Sequence, residues 1–147
     1  MEPELQVYGV DDRPWLPVPG FDGCAVKILQ VDPVQYQVVF MAKLAAGTRF
    51  PRHIHHCPTV AFTLEGVWRY DDHVIPPRAM AYEPAGLDHE AACEEDCVVL
   101  VVMNSVDGRF MSAWLNDKLK VDLHLKFFQR AEALNRALGH VPGIRER

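Results

Sequence analysis

The sequence predicts an all-β chain, a barrel or sandwich of short strands, closed by a C-terminal α-helix. Three observations predict it. Short runs of β-formers are separated by Gly, Pro and Asp turn signals, two histidine motifs lie at the ends of such runs, and the apolar period lengthens to that of a helix only in the last third. At 147 residues the chain can bury one sizeable core but not two. A single domain over 1–147 is therefore expected, with the barrel over about 5–112 and the helix over about 122–138.

The first strand is expected from Leu5 to Val10, followed by a loop carrying Pro14, Pro17, Pro19, Gly20 and Gly23. Ala25 to Leu44 is strand-like, and its second half, Tyr36 to Leu44, leads into the turn Ala45-Ala46-Gly47. Next come Thr59 to Leu64, the Glu65-Gly66 turn, Val67 to Tyr70, the Asp71-Asp72 turn, a Pro76-Pro77 break, Ala79 to Glu83, and Val98 to Asn104. Leu123, Phe127, Ala131, Leu134 and Leu138 then fall on one helical face, with Asp122 placed to cap the start and Gly139 to end it. That stripe is expected to pack on the outside of the barrel or on a second subunit.

Net charge is −5, and residues 117–147 carry seven Lys/Arg against four Asp/Glu, spread along the helical pattern rather than gathered into a stripe, so nucleic acid is not an expected partner. No apolar run approaches the roughly 18 residues a membrane helix needs. The acidic start Met1-Glu2-Pro3-Glu4 lacks the regions of a signal peptide, and a cytoplasmic address is expected. Cys24, Cys57, Cys93 and Cys97 form no CxxC pair, which points to reduced thiols rather than a disulfide framework or a thiolate metal site. Cys57, two residues beyond His55, reads as a small buried hydrophobe.

The chemistry lies in Gly47-x5-His53-x-His55 and Pro84-x-Gly86-x2-His89. Alternate residues of a strand project to one face, so His53 and His55 can grip one cation together, and the Pro and Gly before His89 turn the chain to deliver a third imidazole. A histidine in an apolar run is more often a hydrogen-bonded core residue than a ligand; here spacing, turn residues and strand context agree. By the same parity His56 points away from the ion, while His73, His124 and His140 read as solvated. Thr59, Ala61 and Thr63 share the parity of His55 and should line the pocket; Val60, Phe62 and Leu64 on the opposite face look buried under another sheet or a partner subunit. Arg69 is a candidate to point inward against an anionic substrate, with a surface arginine as the alternative.

The two motifs resemble those of the cupin superfamily, G-x5-H-x-H-x(3,4)-E-x6-G and G-x5-P-x-G-x2-H-x3-N, over roughly residues 36–104. Gly47, His53, His55, Gly66, Pro84, Gly86 and His89 match; Thr59 stands in place of the glutamate ligand, Arg78 in place of a glycine and Cys93 in place of the asparagine. The resemblance implies a double-stranded β-helix, jelly-roll-like barrel. Without the glutamate the site is similar to the acetylacetone dioxygenase and 2,4'-dihydroxyacetophenone dioxygenase group of three-histidine cupins, which implies a non-haem Fe(II) dioxygenase cleaving a C–C bond of a small β-diketone or hydroxy-ketone with O2. Trp15-x-Pro17-x-Pro19-Gly20 and Glu83 extend that likeness, and Glu83 is implied as a carboxylate behind a ligand histidine, or else as a fourth ligand.

Three neutral imidazoles leave a divalent ion its full charge and open positions for an anionic chelate and a gas molecule. Fe(II) is the expected ion, and Zn, Ni or Mn are others such donors accept. The alternatives are a zinc-holding, ligand-sensing module without catalysis and a redox-silent isomerase or lyase. A homodimer or higher homo-oligomer is the expected assembly. No Ser-His-Asp order, phosphate-cradling loop or paired carboxylates support a hydrolase or kinase.

Overall fold

The computed structural model describes residues 2–139 except 8 and 51. Its strands are β1 (Leu16–Pro17), β2 (Cys24–Asp32), β3 (Gln37–Leu44), β4 (His53–His55), β5 (Thr59–Glu65), β6 (Trp68–Tyr70), β7 (His73–Ile75), β8 (Met80–Glu83), β9 (Asp88–His89), β10 (Ala91–Cys93), β11 (Cys97–Asn104), β12 (Arg109–Asn116) and β13 (Leu119–His124), followed by helix α1 (Leu125–Gly139). They form three antiparallel sheets, in the orders β1-β2-β3-β11-β5-β8, β10-β6-β7 and β13-β12-β4-β9. The architecture is the expected all-β, jelly-roll-like one with a C-terminal helix, although the sheets do not join into a continuous closed barrel.

Alternation explains the layering. In β3 the even positions Val38, Phe40, Ala42 and Leu44 face inward; in β11 Cys97, Val99, Val101 and Met103 do so, and in β5 Thr59, Ala61 and Thr63. Two apolar clusters fill the interior, one around Leu44, Trp68, Cys93 and Val99, the other around Val38, Met103, Phe110 and Phe128. The outer positions Val60 and Phe62 are only half-buried and Leu64 is exposed, so no second sheet covers them. The turn at Gly66 needs glycine twice over: φ is 77°, and an added Cβ would collide with the Asp96 carbonyl and Cys97. All four cysteines are free and buried.

Three sequence expectations are corrected. The described residues 5–7 and 9 are in no strand; Leu5 and Val7 are 91% and 82% exposed, and a short 3-10 turn follows at Val10–Asp12. An alternating apolar pattern cannot make a strand without a sheet edge to pair with. The β-structure runs past residue 112 through β13, so the helix starts at Leu125 and Asp122 is not its cap; Asp122 pairs with Ser112 across β12 and β13 and accepts a hydrogen bond from the Ser112 hydroxyl.

The third concerns the helix face. Phe128, Ala131 and Asn135 turn inward while Phe127 and Leu134 remain 42% and 52% exposed. Phe128 packs against Phe40 and Phe110, at ring separations of 6.0 and 5.4 Å, and closes one end of the core. Asn135 fixes this rotation: fully buried, its Oδ1 accepts from the Ile28 N–H (2.7 Å) at the β-bulge between Ile28 and Gln30, and its Nδ2 donates to the Pro14 carbonyl (2.6 Å). Asn135→Ala strands a buried donor and a buried acceptor, and is expected to lower stability to urea by about 2 kcal/mol or more.

Candidate metal centre

β4 carries His53 and His55 on one face because it lies between β12 and β9, with His53 opposite Ala113 on one side and His89 on the other. The Pro84–Leu87 turn that delivers His89 is fastened to His55 by two backbone bonds, Gly86 N–H to the His55 carbonyl (2.7 Å) and His55 N–H to the Leu87 carbonyl (3.0 Å). Gly86 takes φ 91° there, as the motif's turn requires. Outside, Arg52 grips Asp88 with both arms, at 2.9 and 2.6 Å, and tightens the β4–β9 pairing.

The result is a cluster of three buried imidazoles with one ring nitrogen from each within 4.8 Å of the others; among the described residues no other group of this kind is present. The Nε2 atoms of His55 and His89 face each other at 3.2 Å. Thr59 settles the His55 tautomer. Its hydroxyl donates to the Cys57 carbonyl (3.3 Å) and so accepts from His55 Nδ1 (3.2 Å), leaving the His55 Nε2 lone pair aimed into the cluster. Burial and the neighbouring imidazoles push His55 down to about 3; burial first, then His53, lowers His89 to about 3. Both rings are thus neutral donors at physiological pH.

Where the two-motif pattern would have a glutamate, Thr59 stands directly across the β5–β8 pairing from Glu83. The carboxylate is thereby supplied from the next strand. Its oxygens lie 3.6 Å from His55 Nε2 and 3.7 Å from His89 Nε2, the nitrogens that face the cluster, and not beside their outer Nδ1 atoms. This corrects the placement of Glu83 behind a ligand ring: it borders the centre itself. Such distances suggest an imidazolium–carboxylate pair, but burial opposes both charges and pushes Glu83 up to about 8, so neutral rings face a neutral acid in the metal-free protein. Glu83 Oε1 and His89 Nδ1 are buried without a hydrogen-bond partner. Converging neutral nitrogens beside an unsatisfied carboxyl oxygen fit a divalent cation, which would satisfy groups that otherwise cost folding energy.

Of the residues expected to line the pocket, Ala61 does, as part of an apolar chamber of about 90 Å³ that also includes Phe40, Trp68, Val101, His55 and Glu83. Thr59 buttresses His55 instead, and Thr63 accepts a 2.6 Å hydrogen bond from the Trp68 indole. Arg69 points outward from β6 and pairs with Glu94 at 3.3 Å. Tyr70, which the sequence reading passed over, lays its ring edge-on against His89 at 3.7 Å and against Trp68 at 4.4 Å; its signal was the inward parity it shares with Trp68. His56 faces away, bonded to Ser112 at 2.7 Å; Cys57 is packed in the second apolar cluster; His73 and His124 are exposed, and His140 lies outside the described residues. Thr59→Val, which keeps the shape but frees His55 Nδ1, is expected to weaken zinc binding by about 10–100-fold in a competitive chelator titration.

The sequence profile of the family described as the ChrR cupin-like domain matches residues 4–107. No curated protein matches the chain. Among solved structures, an RmlC-like cupin from Ralstonia eutropha is 26% identical, with 95% of this chain and 92% of that one covered and a TM-score of 0.78. An acetylacetone dioxygenase from Acinetobacter johnsonii is 18% identical (92% and 95% covered, TM-score 0.77). The complex of Rhodobacter sphaeroides SigE with the anti-sigma ChrR contains a chain that is 18% identical (65% and 51% covered, TM-score 0.57). No described helix is long and apolar enough to cross a membrane.

Proposed function

The chain belongs to the ChrR cupin-like domain family, and on that premise we propose that it is a metal-dependent cupin in which His53, His55 and His89 hold Fe(II) and which cleaves a C–C bond of a small β-diketone or hydroxy-ketone with O2. The observation that carries this reading is the donor set: three buried, converging imidazoles with no carboxylate at position 59, beside an apolar chamber that contains one buried acid, Glu83. A divalent iron bound there would supply a full +2 charge for an anionic chelate and redox chemistry with dioxygen.

The chain's own residues do the rest. The acidic C–H of a 1,3-dicarbonyl must lose its proton before it can chelate as an anion, and Glu83, whose carboxylate form a bound divalent ion would favour, has Oε1 unpartnered beside His55 and His89 and placed to receive it. Phe40, Val99, Val101 and Trp68 hold the alkyl ends and exclude water, with Thr63 fixing the indole. At about 90 Å³ the chamber is smaller than the roughly 150 Å³ cavity that holds a benzene ring, so it has little room for an aromatic group. That size favours a short aliphatic dicarbonyl over an aromatic hydroxy-ketone. Half-buried Val60, Phe62 and Leu100 with exposed Leu64 make an apolar outer sheet face suited to a homodimer, for which sedimentation at micromolar concentration is the test.

A second reading is favoured by the family itself and by the ChrR complex: a zinc-holding module that binds a ligand or a partner without turnover. Oxygen uptake separates the two. Anaerobically iron-loaded protein given acetylacetone is expected to consume dioxygen stoichiometrically with substrate. No uptake across a panel of β-diketones and hydroxy-ketones, with the iron still bound, leaves the sensory reading.

A further inference from the structure

We propose that small ligands reach the chamber sideways, through the seam between β7 and β8, and that the ring of Tyr70 is the gate that decides what passes. The inference rests on the metal-centre reading only for what lies at the end of the route. Two clefts adjoin the chamber, and they are built differently. The first is ringed by Arg49–Glu90, Arg52–Asp88 and Arg69–Glu94, at 3.0, 2.6 and 3.3 Å, and shares only Ala91 and Ala92 with the chamber. Those two residues belong to β10, which is paired with β6 through Ala91–Tyr70 and Ala92–Arg69. A ladder of backbone hydrogen bonds therefore holds the side of this ionic cleft that adjoins the chamber, and widening it there means breaking that ladder.

The second cleft has no such wall. β8 ends one sheet and β7 ends another, and among the described residues no ladder joins them. Tyr70, Ile75 and Leu87 are among the residues that line the cleft at this seam. This cleft and the chamber have Tyr70 and Glu83 in common, whereas His89 lines both clefts. Tyr70 is half-buried, and its ring covers His89 and the Trp68 indole; swinging it aside uncovers both. Its outer lip carries Met80 and Tyr82, 61% and 60% exposed, beside Asp71 and His73 and without an arginine, so it suits uncharged or weakly polar ligands better than the arginine-ringed cleft does. Rotating one ring costs far less than opening a sheet, so the seam is the preferred path.

The test reads entry without requiring metal or turnover. Trp68 is 4% exposed and lines the chamber; in a Trp15→Phe/Trp114→Phe background it is the one remaining indole, and acrylamide is the entering probe. Tyr70→Ala is expected to raise its quenching rate constant by about threefold or more, Tyr70→Phe to leave it unchanged, and Leu87→Ala, which widens the same seam, to raise it by a smaller factor. Arg69→Ala, which loosens the ionic cleft, should have no effect. In zinc-loaded protein, dipicolinate should extract the metal faster from both Tyr70→Ala and Leu87→Ala than from the parent. Equal quenching in the parent, Tyr70→Ala and Leu87→Ala, or a rise in Arg69→Ala matching that in Tyr70→Ala, overturns the proposal. A parent protein that binds no zinc would instead defeat the metal-centre reading and leave the quenching result to decide the gate.

Discussion

His55→Ala is expected to leave a folded protein that no longer retains a divalent ion through desalting, with zinc affinity lowered on the order of 100-fold or more, because a loss of at least about 3 kcal/mol accompanies removal of one of three protein donors. His55 carries the largest effect because its Nε2 faces both His89 Nε2 and the Glu83 carboxyl, and because Thr59 and two backbone bonds from the Pro84–Leu87 turn already hold it in place. The neighbouring variant His56→Ala is the control: its ring points to Ser112, so it should keep the metal. Unchanged metal content in His55→Ala, or loss in His56→Ala at intact near-ultraviolet dichroism, would refute the ligand assignment.

The second large effect is a pH dependence of stability in the metal-free protein. Burial raises Glu83 from its ordinary 4.5 to about 8 and, with the neighbouring rings, lowers His55 and His89 from 6.5 to about 3. Between pH 4.5 and 6.5 the unfolded chain holds two protons on these histidines while the native chain holds one on Glu83, so stability rises with pH. Between 6.5 and 8 the native chain still holds its proton and the unfolded chain holds none, so stability falls, by about 2 kcal/mol over that interval. Metal-free wild type should therefore be most stable near pH 6.5 with respect to these three groups, and Glu83→Gln should remove the alkaline decline while steepening the acid limb. Bound metal should also remove the decline, since a cation beside Glu83 favours its carboxylate. Urea unfolding of chelator-treated protein from pH 5 to 8.5 measures it; an equal alkaline decline in Glu83→Gln would show that the acid does not sit where the structure places it.

The parts of the fold written in short-range patterns were legible in the sequence. Alternation gave the inward face of β5, runs of β-formers marked β3 and β11, and the Pro84/Gly86 turn marked the delivery of a third imidazole, which the β4–β9 register sets opposite His53. What escaped depended on long-range partners. Leu5 to Val10 alternates like a strand but has no edge to join, and the helix face was misjudged because its anchor is polar: Asn135 is buried by its bonds to Ile28 and Pro14, which no hydrophobic period can signal. The same holds at the centre. Thr59 looked like a missing ligand, and only the β5–β8 register shows that Glu83 stands opposite it; Arg69 and Tyr70 are adjacent, and the strand's parity assigns the tyrosine, not the arginine, to the inside.

The central claim is that His53, His55 and His89 jointly hold one divalent ion. Anomalous diffraction from crystals grown with zinc or iron tests it most directly. The expected result is a single strong peak bonded to a nitrogen of each of the three rings, on the side faced by the Glu83 carboxyl. A peak elsewhere with none among these rings, at a metal concentration that saturates the protein in solution, would contradict it.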